Sequence, residues 1–272
     1  MTGTSKPHCA YCDSDGPLTK DHAWSSAFLD KVGRDGAHFS QKSGRVHGSD
    51  YVVRDVCESC NNSRLSVLDQ HLCRLYDDYF AEPRDFNTTL TFHYDFDLLA
   101  RTLLKVAYTS ARVAGTDAAP LSRVRDYILG VASRPRQLAV YLEIVSPTLV
   151  QPEEAGAANK VFPMMYRSAV TRLLTPNGSS VHTRIVAVNS FYFHLMLPVE
   201  TLSDQVFDEA ALELPAFIEG VVRLDPSKSS TIVSSSPQDG ISSIAPLIQA
   251  NIEQYREYFA RKRGDTGGSS AT

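Results

Sequence analysis

Two Cys-x-x-Cys pairs, Cys9/Cys12 and Cys57/Cys60, account for four of the five cysteines in the 272-residue chain. A two-residue spacer lets each pair curl around an ion, and two such knuckles offer four thiolates in the tetrahedral arrangement of a structural zinc site. The interval between the pairs exceeds the about 15–20 residues of common zinc fingers, so a sizeable segment is inserted. A redox reading of one pair would need a preceding strand in a βαβ unit, and Cys9 follows only a short polar stretch. Met1–Lys6 lacks the apolar core of a secretory signal, which makes a reducing cytoplasm the expected setting and a disulfide framework unexpected. Cys73 falls on a helical stripe with Leu65, Leu68, Leu72 and Tyr76 and reads as a core thiol.

The inserted segment has its own order. Asp13-Ser14-Asp15-Gly16-Pro17 is a turn, and Leu18–Trp24 reads as a short strand. Residues 25–50 read as irregular, with glycines at 33, 36, 44 and 48, apart from a turn of helix at Ala27–Val32. Tyr51–Val56 alternates as a second strand that delivers Cys57. Beyond Cys60, Leu65, Leu68, Leu72, Leu75 and Tyr76 recur at helical spacing. Strand, long loop, strand and helix are thus expected, with the knuckles pinning the ends together.

Cys9-x-x-Cys12, Leu18-Thr19-Lys20-Asp21-His22 and Cys57-x-x-Cys60-Asn61-Asn62 together resemble the HNH, or ββα-metal, nuclease superfamily. The resemblance is to its zinc-stapled branch, which includes a phage junction-resolving endonuclease, and covers about residues 8–76. The run Cys60-Asn61-Asn62-Ser63-Arg64-Leu65-Ser66-Val67-Leu68-Asp69 is similar to the Cys-Asn-Asn-x-x-x-Ser-x-Leu-Glu of many such bacterial proteins. A fainter echo is Leu99–Lys105, like a Leu-Ala…Lys helix found downstream in them. The resemblance implies a metal-dependent endonuclease acting on DNA in preference to RNA. It implies His22 as general base, since a neutral imidazole suits proton abstraction near pH 7. It also implies that Asp21 and Asn61 hold one catalytic Mg²⁺ or Mn²⁺, a hard cation that takes oxygen ligands. Proteins of this kind often serve anti-phage defence or mobile elements, and the resemblance extends that expectation here.

Taken singly, the same residues have plainer readings. Asp21-His22 could be a turn or surface pair, and Asn61 could cap the following helix. Adjacent strand residues point to opposite faces, so Asp21 and His22 share a site only if the strand bends or ends there. One departure from the family is visible: a middle Asn commonly lies four or five residues before the third cysteine, where this chain has Val53 and Val52. His47, Ser49 or Asp50 are candidate substitutes, and His38, His47 and His71 are spare candidates for phosphate contact or leaving-group protonation.

The fold expected overall is α+β. A zinc-stapled ββα-metal module at 1–82 is followed by an α+β domain at 83–263, with helices and a mainly antiparallel sheet, and by a Gly/Ser-rich tail at 264–272. Phe96–Ala111 is an amphipathic helix, Leu121–Val131 a second one started by Pro120, and Ile244–Arg263 a last one. Ala139–Val145, Arg184–Val188, Phe191–Leu197, Gly220–Leu224 and Thr231–Ser234 read as strands. Asn189–His194 is aromatic enough to stack bases, though a plain core strand is the simpler reading. The second domain carries no recognisable chemistry; target choice, dimerisation or regulation by a protein partner are its expected roles.

Charge argues in two directions. The net charge of -4 does not advertise a nucleic-acid binder. Between Arg101 and Leu138, however, seven cations (Arg101, Lys105, Arg112, Arg123, Arg125, Arg134, Arg136) meet only Asp117 and Asp126. They could form a phosphate track or a solvated helix face. Arg261, Lys262 and Arg263 form a second basic group. Two rivals to the nuclease therefore stand: a zinc-stapled nucleic-acid-binding module that has lost hydrolysis, and a zinc-scaffolded protein-interaction domain. No apolar run approaches the ~20 residues of a membrane span.

Overall fold

Leu18–His22 (β1) opens the first unit of the computed structural model and is followed by Ser26–Val32 (α1), Ala37–Ser40 (β2), Arg45–Gly48 (β3) and Val52–Cys57 (β4). The structure describes residues 7–34, 36–40, 43–48, 51–146, 148–150, 160–162, 166–174 and 180–239, together with 257, 260 and 261. β1 and β4 pair antiparallel, with Asp21 opposite Val53 and His22 opposite Val52. A register shift beyond Thr19 leaves Asp55 without a partner across the ladder, as Thr19 faces Val56 and Lys20 faces Arg54. The region expected to be irregular holds a hairpin, β2 pairing antiparallel with β3. Its strands are short, and β3 buries only Val46, so no apolar alternation announces it. α1 begins where Ser25 accepts a hydrogen bond from the Phe28 N–H, the N-cap role that short hydroxyls fill, and it buries Phe28, Leu29 and Val32.

The chain then turns through a wide helical turn, Cys60–Leu65, into Ser66–Leu75 (α2), and leaves through another, Tyr76–Phe80. Leu68, His71, Leu72 and Leu75 line the buried side of α2. Cys73 is partly buried and packs against the same core, as its helical position implied.

Thr89–His93 (β5) and the long helix Phe96–Ala114 (α3) follow. Asp95 caps α3 by accepting from the Leu98 N–H, and Gly115 ends it with φ 75, a left-handed conformation glycine adopts without a Cβ penalty. α3 is buried on nearly every side because it lies between the four-cysteine unit and the sheet. The expected helix from Pro120 to Val131 is two pieces, Ala118–Ser122 (α4) and Arg125–Ile128 (α5). Val124 between them leaves helical geometry, at φ -106 and ψ 11.

The remaining elements are Ala139–Ser146 (β6), Thr148–Val150 (β7), Lys160–Phe162 (β8), Tyr166–Leu174 (β9), Ser180–Val188 (β10), Phe191–Pro198 (β11), Asp204–Phe217 (α6), Val222–Arg223 (β12) and Ser230–Asp239 (β13). They confirm the α+β class. Seven strands form one sheet in the order β5-β13-β6-β11-β10-β9, with β12 attached to β6. Every pairing in it is antiparallel except β13 with β6. β5, β9 and α6 were not expected, while the other sheet strands fall where the β-branched and aromatic stretches are. The expected helix at 244–263 and the tail lie outside the described residues apart from three positions.

One face of the sheet, carrying Val140, Leu142, Phe191, Phe193 and Leu195, shares a single hydrophobic cluster with α3 and with Trp24, Phe28, Leu68 and Leu72. The core thus runs on across the boundary expected near residue 82. α6 covers part of the other face, setting Phe207, Ala210 and Leu214 against Tyr141 and Met196. Phe191, Tyr192 and Phe193 are buried, so the aromatic run of 189–194 lies in the core, in the turn and start of β11, and offers no base-stacking surface.

Candidate metal centre and the His22 strand

The first knuckle is held by its backbone. Cys9 N–H donates to Ser14 O, Asp13 N–H to Cys9 O, and Ala10 N–H to Asp55 O on β4 at 2.8 Å. That last bond draws Cys9 and Cys12 toward the end of β4, where Cys57 and the first turn beyond it supply the second pair. The four sulfurs all lie within 4.8 Å of one another, and Cys12 Sγ is 3.7 Å from Cys57 Sγ. A tetrahedral zinc with Zn–S near 2.3 Å calls for sulfur separations of about 3.8 Å, so the cluster fits that ion. The Cys60 N–H also points at Cys57 Sγ, 3.5 Å away.

Burial pushes the Cys9 and Cys60 thiols up. Burial also resists ionisation of Cys12, but hydrogen bonds from the Ser14 side chain and backbone, with help from the Cys60 and Cys9 thiols, bring it down to about 6. Four crowded thiols of which one ionises readily become four thiolates only beside a cation. Among the described residues this is the one group of three or more His, Cys, Asp or Glu side chains close enough to hold a metal ion.

Asn61 follows the last thiol and reaches back to β1, its amide donating to Thr19 Oγ1 and to the Lys20 carbonyl, each at 2.9 Å. The helix beyond the second knuckle is thereby docked on the strand that carries His22. His22 is partly exposed, and its carbonyl accepts a 2.6 Å hydrogen bond from Lys105 Nζ.

Asp21 faces the other way. It is fully buried, and Oδ2 accepts from Thr109 Oγ1 at 2.8 Å and from Arg112 at 2.6 Å, while Oδ1 lies 3.4 Å from Lys105 Nζ. Burial opposes its charge, but Lys105 and Arg112 outweigh that and hold its carboxyl below the usual carboxylate range. Lys105 also donates to Asp69 Oδ1 at 2.8 Å, and Arg112 pairs with Asp55. Burial works against the Lys105 charge, yet Asp69 and Asp21 raise its pKa above the ordinary lysine value. Burial raises Asp69, a rise that Lys105 moderates. As a ligand for a hydrated Mg²⁺ or Mn²⁺ Asp21 does not fit, because its oxygens are enclosed and turned toward two cations.

Lys105 and Arg112, which the sequence offers only as part of a basic run, are with Thr109 the buried partners of Asp21, and Asp69 shares Lys105. Positions 105, 109 and 112 lie at i, i+4 and i+7 on α3, one polar stripe on a helix whose other polar residues are Asp97, Arg101, Thr102 and Ser110. Other candidates resolve individually. His71 is buried with Nδ1 2.9 Å from Thr102 Oγ1, away from any phosphate. His47 lies exposed on β3 beside Ser43. Ser49, Asp50 and the His38 side chain lie outside the described residues. The valines in place of the middle Asn face the Asp21-His22 pair directly across the ladder.

Each cation of the seven-cation segment has a partner within the fold. Arg101 caps the Ile128 carbonyl, Arg123 binds the carbonyls of Pro198 and Val199, and Arg125, Arg134 and Arg136 pair with Asp13, Asp97 and Asp208. With Lys105 and Arg112 committed as described, the segment's charge is used in holding the fold together. Of the C-terminal basic group only Arg261 is described, and it is exposed.

Comparison with family models, with curated proteins and with solved structures returned no match. No helix among the described residues is long and apolar enough to cross a membrane.

Proposed function

We propose that the zinc-braced N-terminal unit is an endonuclease of the HNH type that hydrolyses phosphodiester bonds in DNA, with His22 as general base. The observation that carries this reading is the docking of Asn61 onto the Lys20 carbonyl. It ties the helix that leaves the last thiol to the strand ending at His22, and so places an imidazole at a partly exposed strand end beside a rigid brace.

In this reading the neutral His22 imidazole takes a proton from a water molecule. The resulting hydroxide attacks phosphorus, the P–O3′ bond breaks, and the departing 3′ oxygen takes a proton from a solvent water, whose hydroxide the protonated His22 then neutralises. Lys105 fixes the His22 backbone, and Asn61 fixes the strand two residues earlier. Because Asp21 does not fit the expected cation site, no step is routed through Mg²⁺ or Mn²⁺, and Asp21 is assigned to holding β1 on α3.

A second reading, a nucleic-acid-binding module without hydrolysis, is favoured by that engagement of Asp21 and by Val52 and Val53 opposite the pair. Supercoiled plasmid incubated with purified protein, with and without Mg²⁺ or Mn²⁺, separates the two. Nicking that disappears in His22→Ala, with zinc content unchanged, supports the nuclease. Binding without nicking supports the second reading, and a protein that neither nicks nor binds removes both.

A further inference from the structure

The sequence alternates charge at two places, Lys20-Asp21 on β1 and Arg54-Asp55 on β4. Written out, each dipeptide is neutral. Folded, the two signs are separated between the two faces of the β1–β4 ladder. Arg112 reaches from α3 and takes both acids, Asp21 through Oδ2 at 2.6 Å and Asp55 beside it. The register shift beyond Thr19 leaves Asp55 out of the ladder, the kind of bulge that re-aims a side chain.

The cations stay outside. Lys20 and Arg54 are both exposed and stand directly opposite one another in the ladder. Like charges in that relation repel and destabilise a strand pair. Lys20 Nζ makes no hydrogen bond or ion pair among the described residues, and Arg54 reaches only the Leu18 carbonyl, at 3.4 Å. By contrast Arg112, Arg125, Arg134, Arg136 and Lys105 each meet a carboxylate. Alternation puts His22 on the Lys20 face, two residues or about 7 Å along the strand.

We infer that Lys20 and Arg54 form a binding platform for the phosphate backbone of duplex DNA, presented beside His22. The inference rests on the nucleic-acid reading above and adds the residues that recognise the substrate. An anion laid across the pair relieves its repulsion, and an arginine opposite a lysine offers both a planar fork and a point charge to phosphate oxygens. This arrangement also explains how a chain of net charge -4 can present a basic face: the neighbouring acids are drawn inward by Arg112.

The test is anisotropy of a labelled DNA duplex titrated with zinc-loaded full-length protein across a salt series. The background is His22→Ala, which binds without turnover. Removing two phosphate contacts with Lys20→Gln/Arg54→Gln should weaken binding at least tenfold. It should also flatten the plot of log K against log salt by about 1.8, at about 0.9 per contact. The same charge change on the sheet domain, Arg223→Gln/Lys228→Gln, should leave the slope as it was. Both altered residues are exposed, so zinc content and thermal midpoint should hold, and equal values confirm that folded protein is compared.

An unchanged slope in the Lys20/Arg54 variant, an equal fall in the control, or a His22→Ala protein that binds no DNA overturns the inference. Loss of binding in the variant of a protein that never nicks plasmid upholds the platform while the hydrolytic reading fails. Nicking by the unaltered chain with an unchanged slope in the variant does the reverse.

Discussion

Lys105 Nζ, on a helix more than eighty residues further along the chain, donates to the backbone carbonyl of His22 at 2.6 Å. The same ammonium reaches Asp69 and Asp21, so one buried cation joins β1, α2 and α3. Replacing it with Lys105→Met leaves the enclosed Asp21 and the partly buried Asp69 short of a partner, and breaking a buried pair of this kind costs about 3–5 kcal/mol. Urea unfolding monitored by circular dichroism should show a loss of that order. Adding Asp69→Asn should recover part of it, and equal stability of Lys105→Met and the unaltered chain would contradict the network's role.

Asp21→Asn distinguishes a structural carboxylate from a cation ligand. Arg112 and Lys105 then lose their shared partner, so stability should fall by roughly 3 kcal/mol. Any plasmid nicking that remains should keep the Mg²⁺ or Mn²⁺ concentration dependence of the unaltered protein. A stable variant with a much higher cation requirement would return Asp21 to the metal.

His22→Ala removes the proposed base, and general-base catalysis contributes about 10²–10⁴-fold. Nicking rates should fall by that factor at constant zinc content and thermal midpoint. Cleavage that survives the change takes His22 out of the mechanism.

Purified protein should carry one zinc per chain by elemental analysis. Cys60→Ser, at a buried position, should lose the metal and melt well below the unaltered chain, since structural zinc contributes about 10–16 kcal/mol of apparent binding energy in finger peptides. A thermal midpoint indifferent to chelator would remove the brace.

His71 should make stability depend on pH. Burial, and to a lesser extent Arg74, lowers it to about 4 from 6.5. The Thr102 hydroxyl donates to the Leu98 carbonyl at 2.7 Å, which leaves His71 Nδ1–H as the donor to Thr102 Oγ1. The folded state resists protonation, so the unfolded state binds the extra proton. His71's contribution is therefore complete above pH 6.5 and declines as pH falls toward 4, by on the order of 3 kcal/mol in all. Urea midpoints should drop more steeply between pH 7 and 4.5 in the unaltered chain than in His71→Gln. Parallel curves would refute the assignment.

The four-thiol cluster was legible from spacing alone, because a two-residue gap nearly fixes the geometry of each knuckle. The strands at Ala139–Ser146 and Phe191–Pro198 were legible as apolar and aromatic runs interrupted only by Glu143 and His194 before their polar or proline ends, and α3 from its apolar period. The hairpin of β2 and β3 was not, since a strand that buries only Val46 leaves no alternation to read. α6 is not legible in the sequence, because the polar start and internal Pro215 of Asp204–Phe217 weaken its apolar period.

The site divides in the same way. Local sequence determined which residues could bind zinc, and that His22 and Asn61 lie next to elements the knuckles hold. Only the tertiary structure decided that Asp21 belongs to Arg112 and Lys105, that the basic segment is engaged by carbonyls and by acids from other parts of the chain, and that Lys20 and Arg54 are left facing solvent. Periodicity is a property of neighbours along the chain. The partner of a charge is set by distances of a few ångströms between elements that the chain keeps scores of residues apart.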